Sequence, residues 1–197
     1  MYNPLIADEL ASQLAAAARG DEEASAWIYR AFSPRVYRLV LGLLGDVADA
    51  EEVVQDAFVY AFRSLGRFDP SRSSLSTWLC TIAISRCRNK RRRKWLASIP
   101  LHWLRETERQ GPAAGPLRKV EAILEAHGVR RQVWGAVRAL PPKLREAVAL
   151  RFFAELSYRA MGKVLGINPK TAESRTRLGL KALRAALAEA QLEFETA

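Results

Sequence analysis

The sequence predicts an all-α protein made of two small helical domains joined by a flexible linker. Three observations carry that prediction. Apolar residues recur at offsets of three and four along most of the chain, and no stretch alternates as a half-buried strand does. Between residues 96 and 128 the pattern is broken by Pro100, Gly111, Pro112, Gly115 and Pro116. With 49% apolar residues over 197 positions, there is material for a core in each half.

The elements follow in order. An Ala-rich helix is expected from Leu5 to Ala18, ending at Gly20, and Asp21 is placed to cap the next, whose inner face holds Ala24, Trp27, Ile28 and Ala31. Ser33-Pro34 reads as a restart, with Val36, Tyr37, Val40, Leu41 and Leu44 on one face and a stop at Gly45. Asp46 then opens a helix in which Ala50, Val53, Val54, Ala57, Phe58, Ala61, Phe62 and Leu65 keep a 3.6-residue period. The opposite face of that helix carries Asp49, Glu52, Gln55, Asp56 and Arg63. Residues 66–76 form a turn-rich loop containing Asp69-Pro70 and four serines.

After that loop comes a helix with an apolar start (Trp78, Leu79, Ile82, Ala83) and a cationic end. Arg86, Arg88, Lys90, Arg91, Arg92, Arg93 and Lys94 are seven cations in nine residues. A helix anchored at one end and cationic at the other can hold a polyanion, because neutralising phosphates releases condensed counterions. A solvated helix end or a localisation-type basic run is the plain alternative.

Charge is partitioned along the chain. Residues 1–66 hold five Arg against ten Asp/Glu, and residues 67–94 hold nine Lys/Arg against one Asp. The linker balances at four and four, and residues 129–197 carry thirteen against six, so the net charge of +10 sits in two blocks. An acidic block in front of two basic ones suggests two nucleic-acid contacts and one different partner.

Cys80 and Cys87 lie seven apart on one helix, about 10 Å along its axis, too far for a disulfide. Neither shares a metal-ligand spacing with His102 or His127, so no zinc and no other cofactor is expected. Arg38 interrupts the richest apolar run, Val36 to Leu44, and no signal peptide is visible; a cytoplasmic protein is expected.

In the second half, Val133, Trp134, Val137 and Leu140 make one helix stopped at Pro141-Pro142, and Leu144 to Phe153 makes another. Ser157 can cap a short helix with Met161, Val164 and Leu165 inward. Gly162 suits a close helix approach, Gly166 a positive φ, and Asn168-Pro169 a turn into a long helix starting at Lys170-Thr171. That is helix-turn-helix spacing, and the N-terminal part of such a second helix enters the major groove. Lys170, Thr171, Glu173, Ser174, Arg175 and Arg177 are the residues placed to reach DNA; Arg can read guanine bidentately, while Thr and Ser position phosphates. A helical hairpin with a basic outer face is the plain alternative.

Three stretches resemble the extracytoplasmic-function (ECF) sigma factors, the two-domain group of the sigma-70 family of bacterial RNA polymerase. They are Asp46–Phe62 (DVADAEEVVQDAFVYAF), Phe68–Lys94 (FDPSRSSLSTWLCTIAISRCRNKRRRK) and Ala139–Arg175 (ALPPKLREAVALRFFAELSYRAMGKVLGINPKTAESR). In their order, and with the linker between them, they cover nearly the whole chain. The resemblance implies that residues 1–95 are region 2, a helical bundle that docks on core polymerase and handles the −10 promoter element. Residues 96–128 would be the linker, and residues 129–197 region 4, which reads the −35 element and touches the β flap.

Carried over by that resemblance, Asp49, Glu52, Gln55 and Asp56 face the β′ clamp coiled coil. Asp69, Ser71, Arg72, Ser73 and Ser74 hold a −10 base flipped from the stack, whose unstacking a pocket must offset. Trp78 is a stacking platform or, from its place on the apolar stripe, a core residue. Ser85, Arg86, Arg88, Asn89, Arg91, Arg92 and Arg93 follow the −10 DNA. Many relatives are held inactive by an anti-sigma protein, so such a partner is a further expectation.

The chain departs from the family pattern in places. Where the family commonly has IARN, it reads Ile82-Ala83-Ile84-Ser85, and Asn89 stands where Asp is usual. The recognition helix has Thr171-Ala172-Glu173-Ser174-Arg175-Thr176, followed by Leu178-Gly179 in place of Arg-Ala, so promoter sequence does not carry over from relatives. Glu173 can accept from cytosine N4. Two other classes fit less well. A helix-turn-helix recombinase needs a catalytic Ser or Tyr domain, which the all-helical first half does not offer. A stand-alone helix-turn-helix regulator pairs its DNA domain with a receiver or ligand pocket, not with a second basic helix.

Overall fold

The computed structural model describes residues 4–98 and 128–195, with side chains between 8 and 94 and between 133 and 188. Among them are eight α-helices and no strand. The first half holds α1 (Pro4–Ala18), α2 (Glu22–Leu44), α3 (Val47–Arg63) and α4 (Leu75–Ser98); the second holds α5 (Gly128–Ala139), α6 (Pro142–Phe152), α7 (Tyr158–Leu165) and α8 (Pro169–Glu195). A short 3₁₀ turn, Leu65–Arg67, follows α3. Most of the expected linker, residues 99–127, lies outside the described residues, as do His102 and His127.

Caps fall where the side chains predict them. Asp21 accepts from the Ala24 N–H at 2.8 Å, and Asp46 accepts from the Asp49 N–H at 2.8 Å. Each replaces a donor partner that the first helical turn lacks, worth about 1 kcal/mol. Gly45 closes α2 at φ 68°, with its N–H on the Leu41 carbonyl. Ser157 caps α7, Gly166 ends it at φ 67°, and Asn168 accepts from the Lys170 N–H at the start of α8.

Several expectations are corrected. Pro34 does not restart a helix; it lies inside a continuous α2. An interior proline costs about 3 kcal/mol, and here Ile28, Val36, Tyr37, Leu39 and Val40 are buried on both sides of it, which offsets the cost. Ala31 is exposed, and the half-buried Phe32 packs against the core instead. The cationic helix begins at Leu75 and runs to Ser98, three residues past the expected boundary at 95, and Gly128 opens α5 rather than preceding it. Pro141-Pro142 both stops α5 and starts α6, with Pro142 in its first turn, where a missing N–H costs nothing.

The main core runs continuously through both halves. Leu39, Val40, Val54, Phe58, Leu79 and Ile84 of the first half are continuous with Ala147, Leu150, Met161, Val164 and Ala172 of the second. A smaller cluster, Val137, Leu140, Val148 and Leu183, binds α5, α6 and α8 together. Helix α2 packs against α5 and α6, and α4 packs against α7. At the seam, Trp134 and Phe153 stack at 4.5 Å between ring centroids over the buried Gly42. A Cβ on Gly42 would lie 2.5 Å from two Phe153 ring carbons, so only glycine admits this approach.

Candidate nucleic-acid interface

Helix α3 presents its polar residues on one arc. Glu52, Gln55 and Asp56 are exposed, and the arc continues into Val59 and Tyr60, which are 43% and 42% exposed. Sequence reasoning did not single out these last two; their i+7 and i+8 spacing from Glu52 was the available signal. Asp49 departs from expectation. Its side chain is only 13% exposed, because the cationic end of α4 packs alongside α3: the Lys90 ammonium lies 3.4 Å from one carboxylate oxygen, and Lys94 pairs with the other. Glu52 is also shared, holding Lys90 at 2.5 Å. Burial pulls the Lys90 ammonium down, but the Glu52 and Asp49 carboxylates outweigh it and leave its pKa above the ordinary value.

The loop before α4 is shaped by its own side chains. The Asp69 carboxylate accepts from both the hydroxyl (2.6 Å) and the N–H (2.9 Å) of Ser71, which holds that carboxyl below its ordinary pKa. Ser74, also exposed, has a local task as well: its Oγ accepts from the Thr77 N–H at 3.2 Å and meets the Thr77 hydroxyl at 2.8 Å, capping the start of α4. Arg72 is exposed and Ser73 half-buried, while the Arg72 carbonyl accepts from the Lys163 ammonium of α7. Trp78 is half-buried with its ring 5.3 Å from that of Phe68, on the rim of the core.

Along α4 the cations split into four groups. Lys90 and Lys94 turn to α3. Arg86 lies over the Tyr60 ring at 4.8 Å, a cation–π contact that the sequence did not suggest. Arg88 reaches across to α6, where its Nε and Nη2 donate to the two oxygens of Glu146 at 2.8 and 2.7 Å. Among the described residues Arg91, Arg92 and Arg93 make no ion pair. Arg91 and Arg92 line a cleft of about 600 Å³ with Arg88, Lys94, Pro142 and Glu146. Ser85 and Asn89 are exposed on the same helix.

In the second half, α7 and α8 form the helix-turn-helix. A Cβ on Gly162 would stand 2.7 Å from the Ile167 carbonyl, so glycine lets the turn fold back on α7. Lys170, Thr171, Glu173, Ser174 and Arg177 are exposed and Arg175 is half-exposed, forming one free face. Ala172, Thr176, Gly179 and Leu183 are buried against the domain. Gly179 has a packing reason: a Cβ there would meet Val148 at 2.6 Å, where α8 crosses α6.

The exposed cations of α4 and the free face of α8 offer positive charge to a polyanion. Cys80 and Cys87 are buried free thiols, each pushed up to about 12 by burial, which keeps them protonated. Among the described residues no group of three or more His, Cys, Asp or Glu could hold a metal ion. No described helix is long and apolar enough to cross a membrane.

Comparison with known proteins agrees with this geometry. Residues 28–97 match Sigma-70 region 2, and residues 130–183 match Sigma-70, region 4. The ECF RNA polymerase sigma factor SigK of Mycolicibacterium vanbaalenii is 33% identical over 186 residues, 93% of this chain and 92% of that protein. SigW of Bacillus subtilis, also an ECF RNA polymerase sigma factor, is 29% identical over 170 residues, 84% of this chain and 90% of its own. Among solved structures, CnrH in complex with the cytosolic domain of CnrY is 22% identical and has a TM-score of 0.65, covering 90% of this chain and 96% of that one. The sigma factor RpoE with the anti-sigma factor NepR from Bartonella quintana is 22% identical, with a TM-score of 0.60 over 79% and 91%.

Proposed function

Because the chain belongs to the ECF sigma factors of the sigma-70 family, we propose that its two halves divide promoter recognition along the surfaces described above. The protein binds core RNA polymerase and directs promoter-specific transcription initiation, reading −35 and −10 elements and assisting melting. Residues 1–95 act as region 2 and residues 129–197 as region 4, with residues 96–128 as the linker. The arc of Glu52, Gln55 and Asp56 docks on the β′ clamp, with Asp49 joining once Lys90 and Lys94 leave it. Asp69, Ser71, Arg72, Ser73 and Ser74 hold the unstacked −10 base with Trp78 close by, Ser85 and Asn89 lie beside its strand, and Arg86, Arg88, Arg91, Arg92 and Arg93 hold its phosphates. The free face of α8, from Lys170 to Arg177, reads the −35 element, and region 4 also meets the β flap.

The observation that carries this reading is the coexistence, on one packed helix pair, of an acidic arc and three arginines with no acidic partner among the described residues. An acidic arc suits a protein partner and unpaired arginines suit phosphate. Chemistry of RNA synthesis belongs to the polymerase, and this chain supplies no catalytic residue. An anti-sigma protein, of the kind bound to RpoE in its complex, is the expected regulatory partner. Run-off transcription with core polymerase tests the assignment. Reversing Arg91, Arg92 and Arg93 to Glu is expected to abolish open-complex formation while polymerase pull-down persists; transcription that survives the reversal overturns the phosphate role.

A further inference from the structure

We propose that Glu146 serves as an internal stand-in for a DNA phosphate, its carboxylate occupying the Arg88 guanidinium and latching the two domains closed in the free protein. The proposal rests on the reading of Arg88 as a −10 DNA contact.

The geometry is specific. Glu146 is 58 residues from Arg88 in sequence and sits on the other half, at the start of the buried run Glu146–Leu150 of α6. Its side chain is 9% exposed, while that of Arg88 is 51% exposed. Two parallel N–H···O bonds join them in the fork geometry by which arginine also holds phosphate. Arg88 is the one cation within ion-pairing distance of Glu146 among the described residues, so a carboxylate largely out of water depends on it.

The rest of the seam is built to the same end. Arg138 and Arg145 donate to the Gly45 and Leu43 carbonyls at 3.4 and 3.3 Å, placing cations at the C-terminus of α2, where the helix dipole favours them. Glu155, in the left-handed region at φ 53°, meets Arg35 at 3.2 Å and Arg38 at 3.9 Å. Lys163 of the helix-turn-helix holds the Arg72 carbonyl of the −10 loop. Closure therefore occupies Arg88, a group that the DNA-bound state needs, and ties the −10 loop to the helix-turn-helix.

The cleft beside the pair supplies the route for opening. Arg91 and Arg92 line it with no carboxylate partner among the described residues, next to the Arg88–Glu146 fork. A phosphate chain seated on them brings negative charge against Glu146 and offers Arg88 a replacement partner. The exchange trades one anion for another on the same guanidinium, and the uncovered carboxylate regains water as α6 moves away. Such an exchange is salt-dependent, since both states rest on charge.

The experiment uses the full chain, labelled for energy transfer at Glu23→Cys and Lys181→Cys, exposed positions outside the proposed sites. The native thiols are buried and leave the labels site-specific. Glu146→Gln keeps the shape and removes the charge. It is expected to lower transfer efficiency and to tighten binding of the free protein to a fork-junction DNA at least about five-fold, an effect in the range of other interdomain couplings. The charge exchange R88E/E146R is expected to restore closure without restoring DNA binding. Unchanged transfer in Glu146→Gln, with native helicity by circular dichroism, overturns the latch. Lower transfer with unchanged DNA affinity overturns the masking of a DNA contact, and with it the role of Arg88, while run-off transcription reports separately on sigma activity. A variant that fails to fold is replaced by Arg88→Gln, which removes the same fork from the exposed side and is read by transfer alone.

Discussion

Gly42→Ala is the most discriminating single change at the domain seam, because it acts with opposite sign on its own helix and on the docking. Within α2, replacing an interior glycine by alanine favours the helix by about 1 kcal/mol. In the docked arrangement the new Cβ would lie 2.5 Å from Phe153 Cδ2 and Cε2 and 3.0 Å from Trp134 Cζ3. Phe153 cannot simply swing aside, since its ring is stacked on Trp134. Overpacking of this kind costs about 1–3 kcal/mol, incurred only while the halves are docked. The docked-to-undocked ratio should therefore fall by roughly 5- to 150-fold, with α2 itself no less stable. Small-angle scattering and amide exchange on the full chain measure both quantities. The expected result is a larger radius of gyration, faster exchange around Val137 and Leu140, and exchange in α2 that is unchanged or slower. An unchanged radius with unchanged protection in α5 would refute the argument that glycine is required for this approach.

Other predictions follow from single side chains. Asp56→Arg, on the exposed part of the α3 arc, should weaken association with core polymerase at least ten-fold (about 1.4 kcal/mol) in a pull-down titration while thermal stability stays within about 0.5 kcal/mol. Arg175→Ala should cost about 1–3 kcal/mol of −35 discrimination, read by competition between intact and mutated promoters. Cys80 and Cys87 should resist iodoacetamide at pH 8, since both thiols titrate near 12; labelling becomes fast only on unfolding, when their pKa values fall to about 8.5. Because the folded thiols titrate higher than the unfolded ones, unfolding releases protons as pH rises from about 8.5 toward 12, and stability falls across that window.

The helices, their caps and the helix-turn-helix were legible because each depends on neighbours three or four residues away. Asp21, Asp46, Ser157, Gly45 and Gly166 act within one turn. What sequence reasoning misread depends on distant packing. Pro34 breaks a helix by local rules, but burial of residues on either side of it holds α2 together. Asp49 and Glu52 read as a free acidic face because Lys90, 41 and 38 residues away, is invisible to helical periodicity. Glu146, Glu155 and the Gly42 notch escaped notice for the same reason: their partners lie on the other half. A signal for Glu146 did exist, as a lone carboxylate opening an apolar run, and Gly179 stood out as a departure from the family pattern before its contact with Val148 explained it.

The spacing of the buried residues in α8 has a practical consequence for specificity. Ala172, Thr176, Gly179 and Leu183 follow one another by four, three and four, forming a narrow buried spine that, flanked by the half-buried Leu180 and Ala182, fixes the helix to its domain. The intervening positions at the N-terminal end, Lys170, Thr171, Glu173, Ser174 and Arg177, carry no packing duty. The proposed reading surface is thus a replaceable insert on a constant mount. Grafting another recognition set between residues 170 and 177 should redirect promoter choice without refolding the domain, provided the spine, and Gly179 above all, is left as it stands.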